Sequence, residues 1–181
     1  MKEVKTIHIL GGAGSGATTL ARALALKHGF RFIDVDEIMW EKTDPPFTIR
    51  RSDPACAAIL ENELAQAEKN VVSGAFVGWG DRFITRLDIV VYLHLPEAVR
   101  MERIRRREHD RFGSRIEPGG DMHRQYLDFL DWASRYDTED VTRRSRAQHE
   151  SWIGKLPCPV VRIESVLPLA ELLTIVGSYL E

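Results

Sequence analysis

The sequence predicts a three-layer α/β/α domain built on a five-stranded parallel sheet, and three observations predict it. Five short apolar runs, at residues 6–10, 31–35, 70–73, 89–93 and 159–163, alternate with helical stretches, the order that calls for parallel strands joined by right-handed crossovers. The runs at 70–73 and 89–93 fit strands buried on both faces better than half-exposed ones. A glycine-rich turn joins the first run directly to the first helix. With 181 residues, 44% of them hydrophobic, the chain fits a single domain with one core over residues 1–181.

Thr6, Ile7, His8, Ile9 and Leu10 are β-branched or apolar and read as the first strand; residues 18–26 form a strong helical run closed by Gly29. Arg31, Phe32, Ile33, Asp34 and Val35 read as the second strand, followed by a short helix at 37–40. Asp44, Pro45 and Pro46 break the chain before a helix near Pro54, with Ser52 or Asp53 as its cap. Pro96 opens a long charged helix. Residues 112–121 are rich in glycine, proline and charge and leave the fold as a short lid, an insertion bounded at about 108–122. Helices are expected at about 122–135 and 138–155, and Pro168 starts the last one.

The net charge of −2 balances 25 basic against 27 acidic groups, but six arginines fall between residues 100 and 111. That clustering suggests a local anion site and not a surface that coats nucleic acid. Cys56 and Cys158 form no CxxC pair and read as reduced thiols. The apolar run at the N-terminus is too short for a signal-peptide core, and no segment approaches the roughly 20 apolar residues that span a bilayer. A cytoplasmic location is the expectation. The six histidines show no metal-ligand spacing.

The turn reads Gly11, Gly12, Ala13, Gly14, Ser15, Gly16, Ala17, Thr18, Thr19. It matches the phosphate-loop pattern G-x-x-x-x-G-K-[ST] except that Ala17 stands in the lysine position. Its glycines let successive N–H groups turn inward above a helix N-terminus, a seat for a phosphate, and Thr18 stands where a hydroxyl would ligand Mg²⁺. Two other readings stay open. Gly12, Gly14 and Ala17 also give G-x-G-x-x-A, with Asp34 or Asp36 about 20 residues on where a dinucleotide ribose is bound, and a bare glycine turn can be only a turn. Loss of the lysine removes one cation from the β and γ phosphates, so affinity and rate fall unless another cation substitutes.

Set beside the later arginines, this loop resembles that of the nucleoside monophosphate kinase superfamily, specifically small adenylate-kinase-like proteins described as kinases or AAA-type ATPases, and the likeness runs along nearly the whole chain. Archaeal-type cytidylate kinases have a similar lysine-less loop, and Asp34-Val35-Asp36 resembles the D-x-D of shikimate and gluconate kinases. The resemblance implies a P-loop NTPase fold, ATP and Mg²⁺ as cofactors, and ATP-binding residues 11–19. The Pro96 helix is similar to the adenylate kinase segment of a proline, an acid and two arginines four apart. By that match Arg103 stacks near the adenine and Arg107 reaches the phosphates, and the four-residue spacing puts both on one helical face. After the lid, Arg143 or Arg146 is expected to bridge donor and acceptor phosphates, with Arg144 left to solvent. The base end should involve Glu164, Ser165 and Val166.

On the acceptor side, Asp34 follows a strand end and is the better candidate to orient the nucleophile, while Asp36 either joins it or caps the next helix. Arg50 and Arg51 lie where such kinases bind the acceptor's phosphate or carboxylate, or are ordinary surface charge. Gly74 permits close approach of a ligand to backbone, and Trp79 walls the acceptor pocket or packs its loop on the core. The expected function is transfer of the γ-phosphoryl group of Mg-ATP to a nucleoside monophosphate or small hydroxyl acceptor. The alternative is a non-catalytic nucleotide-binding regulator with a degenerate loop. The expected partners are a nucleotide and a small-molecule acceptor, with no nucleic acid and no membrane, in a monomer or homodimer.

Overall fold

The computed structural model describes residues 3–164 and 166–180, so Ser165 of the expected base loop lies outside the described residues. In chain order the elements are β1 (Thr6–Gly11), α1 (Ala17–His28), β2 (Arg31–Asp34), α2 (Val35–Met39), α3 (Asp53–Ala65), β3 (Asn70–Ser73), β4 (Ile89–His94), α4 (Glu97–Phe112), α5 (His123–Ser134), α6 (Arg146–Ile153), β5 (Val160–Glu164) and α7 (Leu169–Gly177). The strands form one parallel sheet in the order β2-β3-β1-β4-β5, which puts the glycine turn after the central strand.

Alternate residues of each strand feed two cores. Ile7 and Ile9 of β1 and Val91 and Leu93 of β4 pack with Leu20 and Leu24 of α1 and Leu172 and Val176 of α7. On the opposite face Leu10, Val72, Val90 and Tyr92 meet Ile38 of α2, Leu60 of α3 and Trp152 of α6. The central strands are buried on both faces, whereas β5 alternates. A third cluster of Met101, Ile104 and Ala133 joins α4 to α5, with Ala13 of the glycine turn packed against it.

Three local readings need correction. Val35 belongs to a helix, because Asp34 has an extended backbone and its Oδ1 accepts the Asp36 N–H at 3.0 Å. The cap expected of Asp36 is therefore supplied by Asp34, and Asp36 itself is exposed. The helix expected over 138–155 shrinks to α6: Asp140 Oδ1 takes the Thr142 N–H at 2.8 Å, and the Ser145 hydroxyl caps the new helix by accepting from Gln148 N–H at 3.0 Å. Serine and aspartate offer the backbone this local alternative to helix. The third concerns the lid, since α4 continues through residues 108–112 and only then gives way to a 3₁₀ turn at Gly113–Ile116. That turn is packed down by buried Ile116 and Met122.

The turn is strapped to the segment between α2 and α3. Arg115 Nη2 donates to Asp44 at 2.7 Å and to Asp121 at 2.6 Å, Gln125 Nε2 donates to the Pro46 carbonyl at 2.7 Å, and the Arg111 guanidinium lies 5.8 Å from the Phe47 ring. Among the described residues, no helix is long and apolar enough to cross a membrane.

Candidate active site

Gly11, Asp34, Ser73, His94 and Glu164 end the five strands at one edge of the sheet, the carboxyl edge at which ligands bind in open α/β folds. At its centre, Gly14 and Gly16 take left-handed φ values of 81° and 94°, which glycine adopts without a Cβ penalty. Ser15 N–H donates to the Gly12 carbonyl at 3.0 Å and closes the turn. The helix that follows, α1, has no side chain capping its N-terminus and no acid in its first turn. A helix end of this kind leaves backbone N–H groups for an anion, and the macrodipole favours one.

The loop is walled closely. A methyl on Gly11 would come within 2.5 Å of the Leu93 carbonyl, and one on Gly12 within 2.8 Å of the Tyr136 ring. Ala13 and Ala17 are half-buried, and Thr19 is exposed. Thr18 Oγ1 lies 3.5 Å from the hydroxyl of buried Ser73. Two hydroxyls at the ends of β1's loop and β3 are hard oxygen donors of the kind Mg²⁺ takes beside phosphate oxygens.

The arginines divide. Arg103 brings Nη1 to 3.8 Å from the place a Cβ would occupy on Gly16, at the mouth of α1. Arg107, one turn on, pairs with Glu108 at 2.7 Å and lies 5.9 Å from the Phe129 ring. Arg143 and Arg144 sit in the turn before α6 and not on a helix, so the argument from a shared helical face does not apply to them. Arg143 is exposed, 3.8 Å from Glu139, and Arg146 is exposed at the start of α6. Arg144, expected to face solvent, is the half-buried one, with its guanidinium 5.7 Å from Trp132.

Asp34 borders an open cleft of about 450 Å³ lined also by Arg22, Phe32, Glu37 and Ile59. Burial pushes its carboxyl above the usual range, opposed by the Asp36 N–H bond, and Arg22 is 4.0 Å away. Arg50 is paired with Asp53 at 2.6 Å. Arg51 donates through one Nη1 to the carbonyls of Glu37, Ile38 and Trp40, so it caps the end of α2 and is not offered to an acceptor. Gly74, with φ 95°, packs against Val35, where a Cβ would be 3.0 Å away, and Trp79 is half-buried with its ring 6.0 Å from Phe76.

A buried polar group behind the loop was not evident from sequence. Tyr136, whose ring abuts Gly12, shares its hydroxyl with Tyr92 at 3.0 Å and His149 Nδ1 at 2.8 Å. Burial lowers the His149 imidazole to about 3, with Arg144 and then His8 adding to the effect. His8, stacked on Phe76, shares Nε2 with the Gly74 carbonyl at 2.7 Å, and burial lowers it to about 4. Arg100 also belongs here, and a signal for it existed: it falls among Met101, Ile104 and Glu108 on the buried stripe of α4, where a charge needs partners.

Comparison with known proteins places the chain in a family. The model of a family described as "AAA domain" matches residues 7–117, more than half of the chain. The chain belongs to this family. It is 40% identical over 176 residues to "Uncharacterized protein YqaC" of Bacillus subtilis, 97% of each chain being covered. It is 31% identical over 113 residues to a cytidylate kinase of Archaeoglobus fulgidus, covering 56% of this chain and 61% of that one. Among solved structures, a gluconokinase from Sinorhizobium meliloti superimposes with a TM-score of 0.52 at 22% identity, over 99% of this chain and 93% of that one. That likeness is one of fold, and with the sheet order it identifies a P-loop kinase fold.

Proposed function

We propose that this chain is an ATP-dependent phosphotransferase acting on a nucleoside monophosphate or a small hydroxyl acceptor. The observation that carries the reading is Arg103: its guanidinium stands at Gly16, beside the uncapped start of α1, in a loop whose lysine position is Ala17. A cation next to a ring of backbone N–H groups is what a triphosphate requires. The 31% identity to a cytidylate kinase supports the kinase class of this reading.

In this reading the backbone of residues 11–18 seats the β-phosphate, and Arg103 takes the charge that a lysine would carry. Thr18, with Ser73 behind it, would hold Mg²⁺, which when bound neutralises charge on the β and γ oxygens. Asp34, its proton affinity raised by burial, orients the acceptor hydroxyl. Arg107 and Arg143 serve the transferring group once it replaces Glu108 and Glu139 as their partners, Arg146 serves it from the start of α6, and Arg50, Gly74 and Trp79 border the acceptor. The protein is soluble in the cytoplasm.

The test is a coupled assay with Mg-ATP across nucleoside monophosphates, shikimate and sugar acids. Arg103→Ala is expected to lower kcat/KM by about a hundredfold, and Ala17→Lys to change it little if Arg103 already fills the role. A large gain from Ala17→Lys would mean that the cation's place is empty. A non-catalytic nucleotide regulator is favoured by one observation, the commitment of Arg107 to Glu108. Bound Mg-ATP with no transfer to any acceptor decides for it.

A further inference from the structure

Arg100 is 1% exposed and is the largest fully buried side chain described. An arginine in such a place is costly unless all its donors are used. Nε donates to the Leu95 carbonyl at 3.2 Å, Nη1 to the carbonyls of Ala13 at 3.3 Å and Ala133 at 3.1 Å, and Nη2 to Asp137 Oδ2 at 2.8 Å. The guanidinium also lies 4.9 Å from the Tyr136 ring, the same ring that abuts Gly12. One side chain thus ties the glycine turn to the ends of β4 and α5.

The bond to Ala13 has a directional consequence. The peptide between Ala13 and Gly14 is planar and trans, so its C=O and N–H point opposite ways. Arg100 holds the C=O on the α4 side. The Gly14 N–H is therefore aimed away from α4, toward the open side of the turn. The left-handed φ of 81° at Gly14 permits this, and the space where a side chain would stand is closed by the Arg100 carbonyl, 2.7 Å from an ideal Cβ.

We infer that Arg100, held by Asp137, is a positioning residue of the phosphate cradle: it sets the Ala13–Gly14 peptide so that the Gly14 N–H is presented to a nucleotide phosphate, without touching the nucleotide itself. The inference rests on the reading of the loop as a nucleotide site. In a loop without a lysine, correct aim of each backbone donor carries a larger share of phosphate binding. Arg103, on the same helix, supplies charge; Arg100 supplies direction.

The test separates phosphate recognition from general integrity by titrating the full chain with Mg-ATP and with adenosine, which lacks phosphates. Arg100→Lys keeps the charge, but a single ammonium cannot span the four acceptors, so Ala13 is released. Mg-ATP affinity should fall about tenfold, the scale of one charge-assisted hydrogen bond, with adenosine affinity changed less than about twofold. Asp137→Ala, which removes the acceptor of Nη2 and frees one end of the guanidinium, should give a smaller loss in the same direction and serves if Arg100→Lys does not fold. An unchanged ratio of Mg-ATP to adenosine affinity in a folded variant overturns the inference, as does an equal loss of both ligands. If the wild-type chain binds no Mg-ATP, the nucleotide reading itself falls, an outcome distinct from either.

Discussion

The two halves of the sheet's carboxyl edge are held by different kinds of contact. Around the turn after β1 the supports are buried: Arg100 and Ser15 are 1% and 3% exposed, and the Tyr136–His149 pair lies beneath Gly12. Along the segment between α2 and α3 the supports are exposed ion pairs: Arg50 with Asp53, and Arg115 with Asp44 and Asp121. Buried bonds hold one geometry and are barely screened, whereas exposed pairs contribute little and weaken with salt. In the proposed reading, the glycine-turn half is preorganised for phosphate and the α2–α3 half keeps freedom to adjust to an acceptor.

Acid should break the buried half first. His8 and His149 are neutral in the folded state, lowered to about 4 and about 3, while in the unfolded chain each titrates near 6.5. Below pH 6.5 the unfolded state binds more protons, so stability falls as pH falls, by about 4 kcal/mol between pH 7 and pH 5 if both contribute fully. Urea unfolding at pH 7, 6 and 5 measures this, and His149→Gln should remove about half of the slope.

Gly14→Val is expected to cost about 2–3 kcal/mol, from a strained left-handed φ and a collision with the Arg100 carbonyl. It should also remove Mg-ATP binding; a lowered melting temperature with binding intact would show that the loop is only a turn. Ser145→Ala should cost about 1 kcal/mol, because the hydroxyl both caps α6 and donates to the Asp140 carbonyl at 2.6 Å. Arg115→Ala should leave thermal unfolding unchanged at moderate salt, since its pairs are exposed. A clear drop there would erase the contrast between the halves.

The strands and the glycine turn were legible because their signals are local. Asn70–Ser73 needed only a short apolar run, and α3 only Ser52 and Pro54 at its start. Within the candidate site the local geometry was legible at the glycines of the turn, Gly14 and Gly16, which take left-handed φ. It was not legible where the same residue type has several uses. Arg51 and Arg103 are both arginines near the edge, yet one caps α2 and the other stands at Gly16. Arg143 and Arg144 were misplaced because Ser145 restarts the helix after them.

What the sequence determined by itself is the chain of elements, the parallel order of strand and helix, and a phosphate turn lacking its lysine, since periodicity and glycine placement are properties of neighbours along the chain. Only the tertiary structure decided which cation faces the turn and which is buried behind it. Arg100 and Arg103 are three residues apart on one helix, yet one guanidinium meets the carbonyls of Ala13, Leu95 and Ala133 with Asp137, and the other stands beside Gly16 at the mouth of α1. Charge is written in the sequence, but its direction is set by partners distant along the chain.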